Sequence, residues 1–78
     1  MIEKTQIHKV IRETLKPLDK GFVIESSMNL VEDLDADSLT IIELVMELES
    51  EFDIDIDDNE LDVFTTVESV EKLVQDLA

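Results

Sequence analysis

A serine between an acidic run and an apolar segment is the residue best placed for chemistry. Ser38 follows Asp33, Asp35 and Asp37 and precedes a segment in which apolar residues recur every three to four positions. Small polar residues directly before such a pattern favour a helix start, so we predict a helix over residues 38–52. The Ser38 hydroxyl would then lie at the positive end of the helix dipole, where a phosphate ester is favoured. A hydroxyl that serves only as a helix cap is the alternative interpretation.

The same serine lacks the partners of a catalytic nucleophile. His8 is the only histidine, it lies in another predicted helix among basic residues, and no nucleophile elbow surrounds Ser38. Among 21 Asp and Glu residues, no pair stands out as a desolvated acid–base couple. We therefore predict that the chain is not an enzyme. Because the sequence has no cysteine and no second histidine, we interpret His8 as an exposed structural residue and not as a metal ligand.

Aspartates at alternate positions also suggest calcium binding. An EF-hand loop requires glycine at its sixth position and a bidentate glutamate at its twelfth. A loop that begins at Asp33 has Ser38 and Leu44 at those positions, and one that begins at residue 53 fails at both as well. We predict no dedicated metal site and only weak binding of divalent cations to the dense carboxylates.

Hydrophobic periodicity predicts three longer helices and one short helix. The first is expected over residues 2–16, ended by Pro17, with an apolar face formed by Ile7, Val10, Ile11 and Leu15. In the helix of residues 38–52, the predicted core stripe is Ile41, Leu44, Val45, Leu48 and Phe52. The segments together predict an all-α protein, a small four-helix bundle with a long first loop.

Turn residues and capping signals define the remaining segments. Residues 17–36 mix turn-forming and apolar residues, which predicts a long loop packed on the core with a helical turn near residues 30–34. Residues 53–57 alternate like a strand, but no second strand is available, so we expect an extended loop and then a short helix near residues 58–62. A capping box with Thr65 as cap and Glu68 three residues later starts the last helix, whose apolar positions are Val70, Leu73, Val74 and Leu77.

Charge is distributed unevenly along the 78 residues. Residues 1–20 carry a net charge of +2, whereas residues 21–78 carry Lys72 against 18 acidic residues and sum to −17. Nucleic acid and anionic membranes are predicted to be poor partners because their phosphates would be repelled, and a protein with a basic patch is the expected complement. The alternative is that the acids only keep a small protein soluble. Length and the lack of cysteine, signal peptide and apolar span predict a single domain over residues 1–78 and a soluble, cytoplasmic monomer.

Three parts of the sequence resemble the acyl carrier protein family. The signature of that family is resembled by two runs of this chain, Asp33-Leu34-Asp35-Ala36-Asp37-Ser38-Leu39 and then Glu43-Leu44-Val45-Met46. The likeness continues through Glu49, Glu51, Phe52, Ile56 and Thr65-Thr66-Val67. The resemblance therefore extends over nearly the whole chain.

The resemblance implies that Ser38 carries a covalent 4′-phosphopantetheine arm, installed by a holo-carrier synthase, which is a phosphopantetheinyl transferase. The thiol of the arm would hold acyl intermediates as thioesters, in a chain that has no cysteine of its own. The family fold is a four-helix bundle. The implied function is that of a non-catalytic carrier in dissociated (type II) fatty acid biosynthesis, which delivers acyl groups to acyl-transfer, ketosynthase, reductase and dehydratase enzymes with basic patches.

The resemblance also implies which residues face partner enzymes, namely Asp37, Leu39, Ile42, Glu43, Met46, Glu47 and Glu49. Their placement accords with helical spacing, since Ser38, Ile42 and Met46 are four residues apart and stack on one face. Family members can shelter an acyl chain between helices. Candidate lining residues, for which plain core packing is the alternative role, are Leu44, Leu48, Ile56, Leu61 and Phe64.

Four departures from the family pattern leave the pathway open. Asp35 stands where glycine is usual, Thr40 where an acid is common, Asp57 where proline is common and Glu47 where a small residue is frequent. A specialised carrier for polyketide, non-ribosomal peptide or special lipid synthesis is therefore an alternative. From a different class, the alternative is a small acidic binding module or calcium buffer without a covalent cofactor.

Overall fold

A computed structural model describes residues 2–15 and 22–78. It contains three α-helices, α1 (Lys4–Thr14), α2 (Ser38–Phe52) and α3 (Val67–Leu77), and a short 3₁₀ helix at Asp58–Val63. Within the described residues no strand is formed, and Asn29 and Thr66 make one isolated antiparallel bridge. The prediction of an all-α protein with three longer helices and one short helix is confirmed.

Helix α1 is shorter than predicted at its start. Glu3 has extended backbone angles and acts as the N-cap, and its N–H donates to Gln6 Oε1 at 2.8 Å. Ile2 therefore lies before the helix, although it still packs against the core. The predicted end at Lys16 and Pro17 lies outside the described residues. In the described part of the chain, α1 extends to Thr14.

The core lies where one apolar face from each α-helix meets the others. Its fully buried side chains include Ile7, Ile11, Leu44, Leu48, Val67, Val70 and Val74. The predicted apolar face of α1 is buried in full, and the α2 stripe is buried at its centre, while its ends, Ile41 and Phe52, are partly buried. The prediction that Leu77 joins this face is wrong. Leu77 is the last residue of α3 and stays exposed.

Helix α3 starts one residue later than its sequence signal predicted. The cap is Thr66, whose Oγ1 accepts from Ser69 N at 3.2 Å, and Ser69 Oγ accepts from Thr66 N at 3.1 Å. The predicted pair of Thr65 and Glu68 is therefore wrong. Tertiary contact gives the reason, since Val67 N donates to Met28 O at 2.9 Å and so fixes the register of the helix start.

The segment of residues 22–37 is held against the start of α3 and contains the predicted turn. Leu30 N donates to Thr65 O and Glu68 N donates to Ser26 O, both at 2.9 Å. Residues 30–34 form hydrogen-bonded turns, in which Asn29 Oδ1 accepts from Val31 N at 2.9 Å. These bonds satisfy a backbone that makes no regular helix, and they give the connection to Ser38 a defined path.

The chain after α2 is extended, as predicted, and is fixed at both ends. Asp53 ends the helix with φ 54°, in the left-handed region, and Ile54 and Ile56 are buried. Asp57 then caps the 3₁₀ helix through Asn59 N at 3.1 Å. The alternating aspartates of this segment therefore face solvent while its two isoleucines complete the core.

The prediction that His8 is exposed is wrong. Only 19% of its side chain is accessible, and Nε2 contacts the carboxylate of Glu71 on α3. The periodicity of α1 gave no sign of this contact, because the partner lies 63 residues away.

Candidate attachment and docking site

Asp37, and not Ser38, is the residue that caps α2. Its backbone is extended, with φ −100° and ψ −177°, and its Oδ1 accepts from Thr40 N and from Thr40 Oγ1, each at 2.8 Å. Ser38 is the first helical residue and is exposed, and its hydroxyl makes no hydrogen bond within residues 2–15 and 22–78. The interpretation of Ser38 as a helix cap therefore lacks support, because a neighbour performs that task.

The electrostatics of this cap keep a negative charge beside Ser38. The N–H of Thr40, followed by its hydroxyl, lowers the pKa of Asp37 below its usual value because both donors stabilise the carboxylate. The positive end of the helix dipole acts in the same direction. At neutral pH the carboxylate of Asp37 is thus ionised and engaged with the first turn of α2.

The chain bends sharply just before the cap. Asp35 adopts φ 58°, in the left-handed region that favours glycine, and aspartate is among the few other residue types that adopt it readily. On either side of Asp35, Leu34 and Ala36 are buried, and Ala36 N donates to Leu30 O at 2.9 Å. The bend directs Ala36 into the core and leaves Asp37 and Ser38 at the surface.

A continuous exposed face runs along α2 from Ser38. Leu39, Ile42 and Met46 are between 48% and 65% exposed, and Glu43 and Glu47 beside them are exposed as well. In the part of the chain that the structure describes, none of these carboxylates takes part in an ion pair. Six of the seven predicted partner-facing residues share this exposure, and we refer to Asp37, Leu39, Ile42, Glu43, Met46 and Glu47 as the α2 face.

The seventh predicted residue, Glu49, has a different environment. It is half-buried, and its Oε2 accepts from Ile56 N at 2.8 Å. The bond joins the C-terminal part of α2 to the extended segment that follows. Glu49 therefore borders the α2 face and at the same time supports the fold.

The α2 face continues toward α1 as a groove of about 400 Å³. Its lining adds two glutamates that sequence reasoning did not select, Glu13 of α1 and Glu51 of α2. Val10 and Thr14 contribute to the same groove from α1. Helical spacing from Glu43 and Glu47 could have identified Glu51. Glu13 had no such signal, because it reaches the groove only through the packing of α1 on α2.

The five candidate acyl-chain residues contribute to the protein interior. Leu44, Leu48, Ile56 and Phe64 are buried, and Leu61 is partly buried against them. This placement accords with core packing, which is the alternative that the sequence left open for them.

The described residues form neither a metal-binding cluster nor a membrane-spanning helix. No group of three or more acidic or histidine side chains there is arranged to hold a metal ion. No helix among residues 2–15 and 22–78 has the length and apolarity needed to cross a membrane.

Comparison with known proteins connects this geometry to a family. Residues 5–74 match the protein family described as "Phosphopantetheine attachment site". The acyl carrier protein of Desulforapulum autotrophicum is 43% identical over 67 residues, which is 86% of each chain. The acyl carrier protein of Buchnera aphidicola subsp. Baizongia pistaciae is 43% identical over 74 residues, covering 95% of this chain and 91% of that protein.

Solved structures give the same result. A putative acyl carrier protein from Mycobacterium tuberculosis superposes with a TM-score of 0.83 at 33% identity, covering 92% of this chain and 93% of that one. A chain in the structure of the ishigamide ketosynthase/chain length factor superposes with a TM-score of 0.72 at 32% identity, covering 96% of this chain and 92% of that one.

The predicted resemblance is thereby confirmed. An exposed serine hydroxyl with no competing hydrogen bond, at the start of a 15-residue helix, is compatible with a phosphate ester. The chain belongs to the acyl carrier protein family, whose members carry a covalently attached 4′-phosphopantetheine and act as non-catalytic carriers with synthase enzymes as partners.

Proposed function

We propose that Ser38 is the residue to which 4′-phosphopantetheine is attached. The observation that carries this proposal is the division of labour at the start of α2: Asp37 caps the helix, and the Ser38 hydroxyl is left exposed and without a hydrogen-bond partner in the described residues. A holo-carrier synthase would reach this oxygen without opening the core. The arm supplies a thiol that holds acyl groups as thioesters, and the whole of residues 1–78 would serve as one carrier domain.

The α2 face is the surface that we propose for docking. Its apolar side chains offer area to bury, and its unpaired carboxylates offer charge to basic partners. Because Ser38 is the first residue of α2, at the N-terminal end of the same face, a docked enzyme would be close to the attachment point. Tethering then makes delivery of the acyl group nearly intramolecular. Glu49 would act at the border of this surface, chiefly by holding the end of α2 through Ile56.

The pathway that we propose is dissociated, type II fatty acid biosynthesis in the cytoplasm. The curated relatives named acyl carrier protein support a discrete carrier of this length, and the absence of cysteine accords with a reducing compartment. The partners would be acyl-transfer, ketosynthase, reductase and dehydratase enzymes with basic patches, and the carrier would act as a monomer.

A specialised carrier is the second candidate. The structural neighbour in the ishigamide ketosynthase/chain length factor complex favours it, because that chain covers nearly all of this one at a similar sequence identity to the mycobacterial carrier. Acyl groups recovered on the protein from its own cell distinguish the pathways. Saturated chains of increasing length would support fatty acid synthesis, and polyketide, aminoacyl or other special acyl groups would support the alternative.

Intact-mass measurement after co-expression with a holo-carrier synthase tests the attachment site. The expected result is the addition of one phosphopantetheinyl group to the wild-type chain and to Ser50→Ala, and no addition to Ser38→Ala. Ser50 is a matched control because it is an exposed serine in the same helix. Addition to Ser38→Ala would overturn the assignment. An unmodified wild-type chain that binds calcium tightly would instead favour the acidic-buffer alternative.

A further inference from the structure

Asp35 differs in its contacts from the aspartates two positions before and after it. The carboxylate of Asp33 accepts a hydrogen bond from Asn29 N at 2.7 Å, and Asp37 caps α2. Asp35 is exposed, and among the described residues its carboxylate makes neither a hydrogen bond nor an ion pair. The fold therefore uses the side chains of Asp33 and Asp37, and it makes no use of the side chain of Asp35.

The backbone at Asp35 makes this residue type costly. With φ 58° it lies in the left-handed region, where a Cβ is crowded and where glycine fits freely. Aspartate offsets that cost when its side chain bonds to the nearby backbone, and Asp35 makes no such bond among the described residues. Residues held in sparsely populated conformations are concentrated at binding and active sites. The Asp35 carboxylate thus occupies a position where glycine would suit the fold better.

Asp35 also lies close to the proposed attachment point. It precedes Ser38 by three residues, which span at most about 11 Å of extended chain. Both side chains are exposed, while Ala36 between them is buried in the core. An enzyme that reaches the Ser38 oxygen therefore comes within reach of the Asp35 carboxylate.

A cationic side chain is the partner that this environment favours. An exposed carboxylate without a partner in its own fold attracts lysine or arginine across an interface and speeds association. The chain itself offers little competition, since Lys72 of α3 is the only basic residue after residue 20. An apolar side chain placed over Asp35 would instead remove water from its charge without compensating it.

We propose that Asp35 is a contact for a lysine or arginine of the enzyme that modifies Ser38, an inference that rests on the attachment site proposed above. Because Asp33 and Asp37 are bound within the fold, Asp35 supplies the carboxylate that is left for the enzyme. A holo-carrier synthase with a basic residue at this point is favoured over one without it. Asp35 is thereby a specificity-determining residue for the modification of this chain.

The rate at which a purified holo-carrier synthase modifies the full chain tests the contact. Intact mass followed over time, with the phosphopantetheinyl donor in excess, gives kcat/KM for the carrier. Asp35→Gly keeps the left-handed backbone and removes the carboxylate, and Asp35→Asn removes the charge at nearly constant size. We expect both variants to lower kcat/KM by about threefold at low salt, and the difference to disappear as salt is added.

Asp53→Gly is the matched control. Among the described residues, Asp53 is the second aspartate with a positive φ, at 54°, and it is exposed as well. It follows the 15 residues of α2, which place it about 22 Å from Ser38. The substitution makes the same change in net charge and backbone freedom, so we expect kcat/KM to stay at the wild-type value. An equal loss in Asp53→Gly would overturn the proposal, because net charge would then explain both results.

Thermal unfolding separates this contact from a role in the fold. Asp35→Gly should melt at or above the wild-type temperature, since it relieves the backbone and removes one charge from a chain of net charge −15. A clearly lower melting temperature, or unchanged kcat/KM in both Asp35 variants, would overturn the proposal and leave Ser38 as the attachment site. A wild-type chain that the synthase does not modify would overturn the attachment site as well.

Discussion

The α2 face and the buried Glu71 of α3 use the same functional group in opposite environments. On the α2 face, Glu43 and Glu47 are exposed and have no ion-pair partner within the described residues. In the core, Glu71 is 1% exposed, and its carboxylate contacts the imidazole of His8, the hydroxyl of Ser26 and the ammonium group of Lys4. An exposed carboxylate keeps its hydration and remains available to a partner, whereas a buried one depends on partners within its own fold.

The comparison shows how a chain with a net charge of −15 separates binding from stability. The negative potential of the exposed carboxylates favours partners with basic patches. Repulsion among the same carboxylates opposes the compact state. Within residues 2–15 and 22–78, Glu71 is the one acid that enters the core, where its carboxylate contacts Lys4 and His8 of α1 and the Ser26 hydroxyl. Substitutions in the two regions should therefore have separable effects.

The largest expected effect is on the stability of Glu71→Ala. Removing this carboxylate leaves a cavity and deprives His8 and Ser26 of their partner, so we expect a loss of about 3 kcal/mol in the free energy of unfolding. The matched variant Glu43→Ala should change it by less than about 0.5 kcal/mol, because Glu43 is exposed. Urea unfolding monitored by circular dichroism measures both. Similar losses in the two variants would remove the distinction between the regions.

A smaller effect is expected on docking. Glu43→Lys with Glu47→Lys should lower the rate of association with a basic partner enzyme by about tenfold at low salt, since it reverses charge on the α2 face. The difference should shrink as salt is added. The control is Glu68→Lys with Asp76→Lys, which makes the same change in net charge at exposed positions of α3.

Stopped-flow or steady-state kinetics with the holo form measures this effect. Both double variants should remain folded. If the two pairs slow association equally, net charge, and not the location of the charges on α2, would determine docking.

The smallest effect concerns Asp37, which is exposed and yet engaged within the fold. Asp37→Ala should lower the melting temperature at pH 7 by a few degrees, because Thr40 N loses its acceptor. Since the pKa of Asp37 is lowered in the folded state, its contribution is present above the ordinary pKa of 3.8 and is lost as the pH falls through the lower folded value. The deficit of the variant should therefore decrease in acid.

Thermal unfolding at pH 7 and near pH 3 measures this deficit. Asp55→Ala is the control, because Asp55 is exposed and makes no hydrogen bond among the described residues. A deficit in Asp37→Ala that does not change with pH would contradict a role for the ionised carboxylate in the cap.

Several features were predictable because they depend on neighbours close in sequence. The bounds of α2 follow from a polar pair before an apolar repeat, and the structure places them at the same residues, Ser38 and Phe52. The interpretation of residues 53–57 as an extended loop was likewise correct, since no partner strand forms within residues 2–15 and 22–78. The start of α3 was off by one residue because its register depends on Met28, which is remote in sequence.

By itself, the sequence determined the helical class, the core faces, the acidic charge and the serine at the start of α2, because periodicity and capping are local properties. Only the tertiary structure decided that Glu13 of α1 lines a groove with the α2 face and that Glu71 is buried beside His8. Burial and charge pairing depend on which elements meet across the core. No periodic pattern in the sequence indicates a contact between two residues that are 63 positions apart.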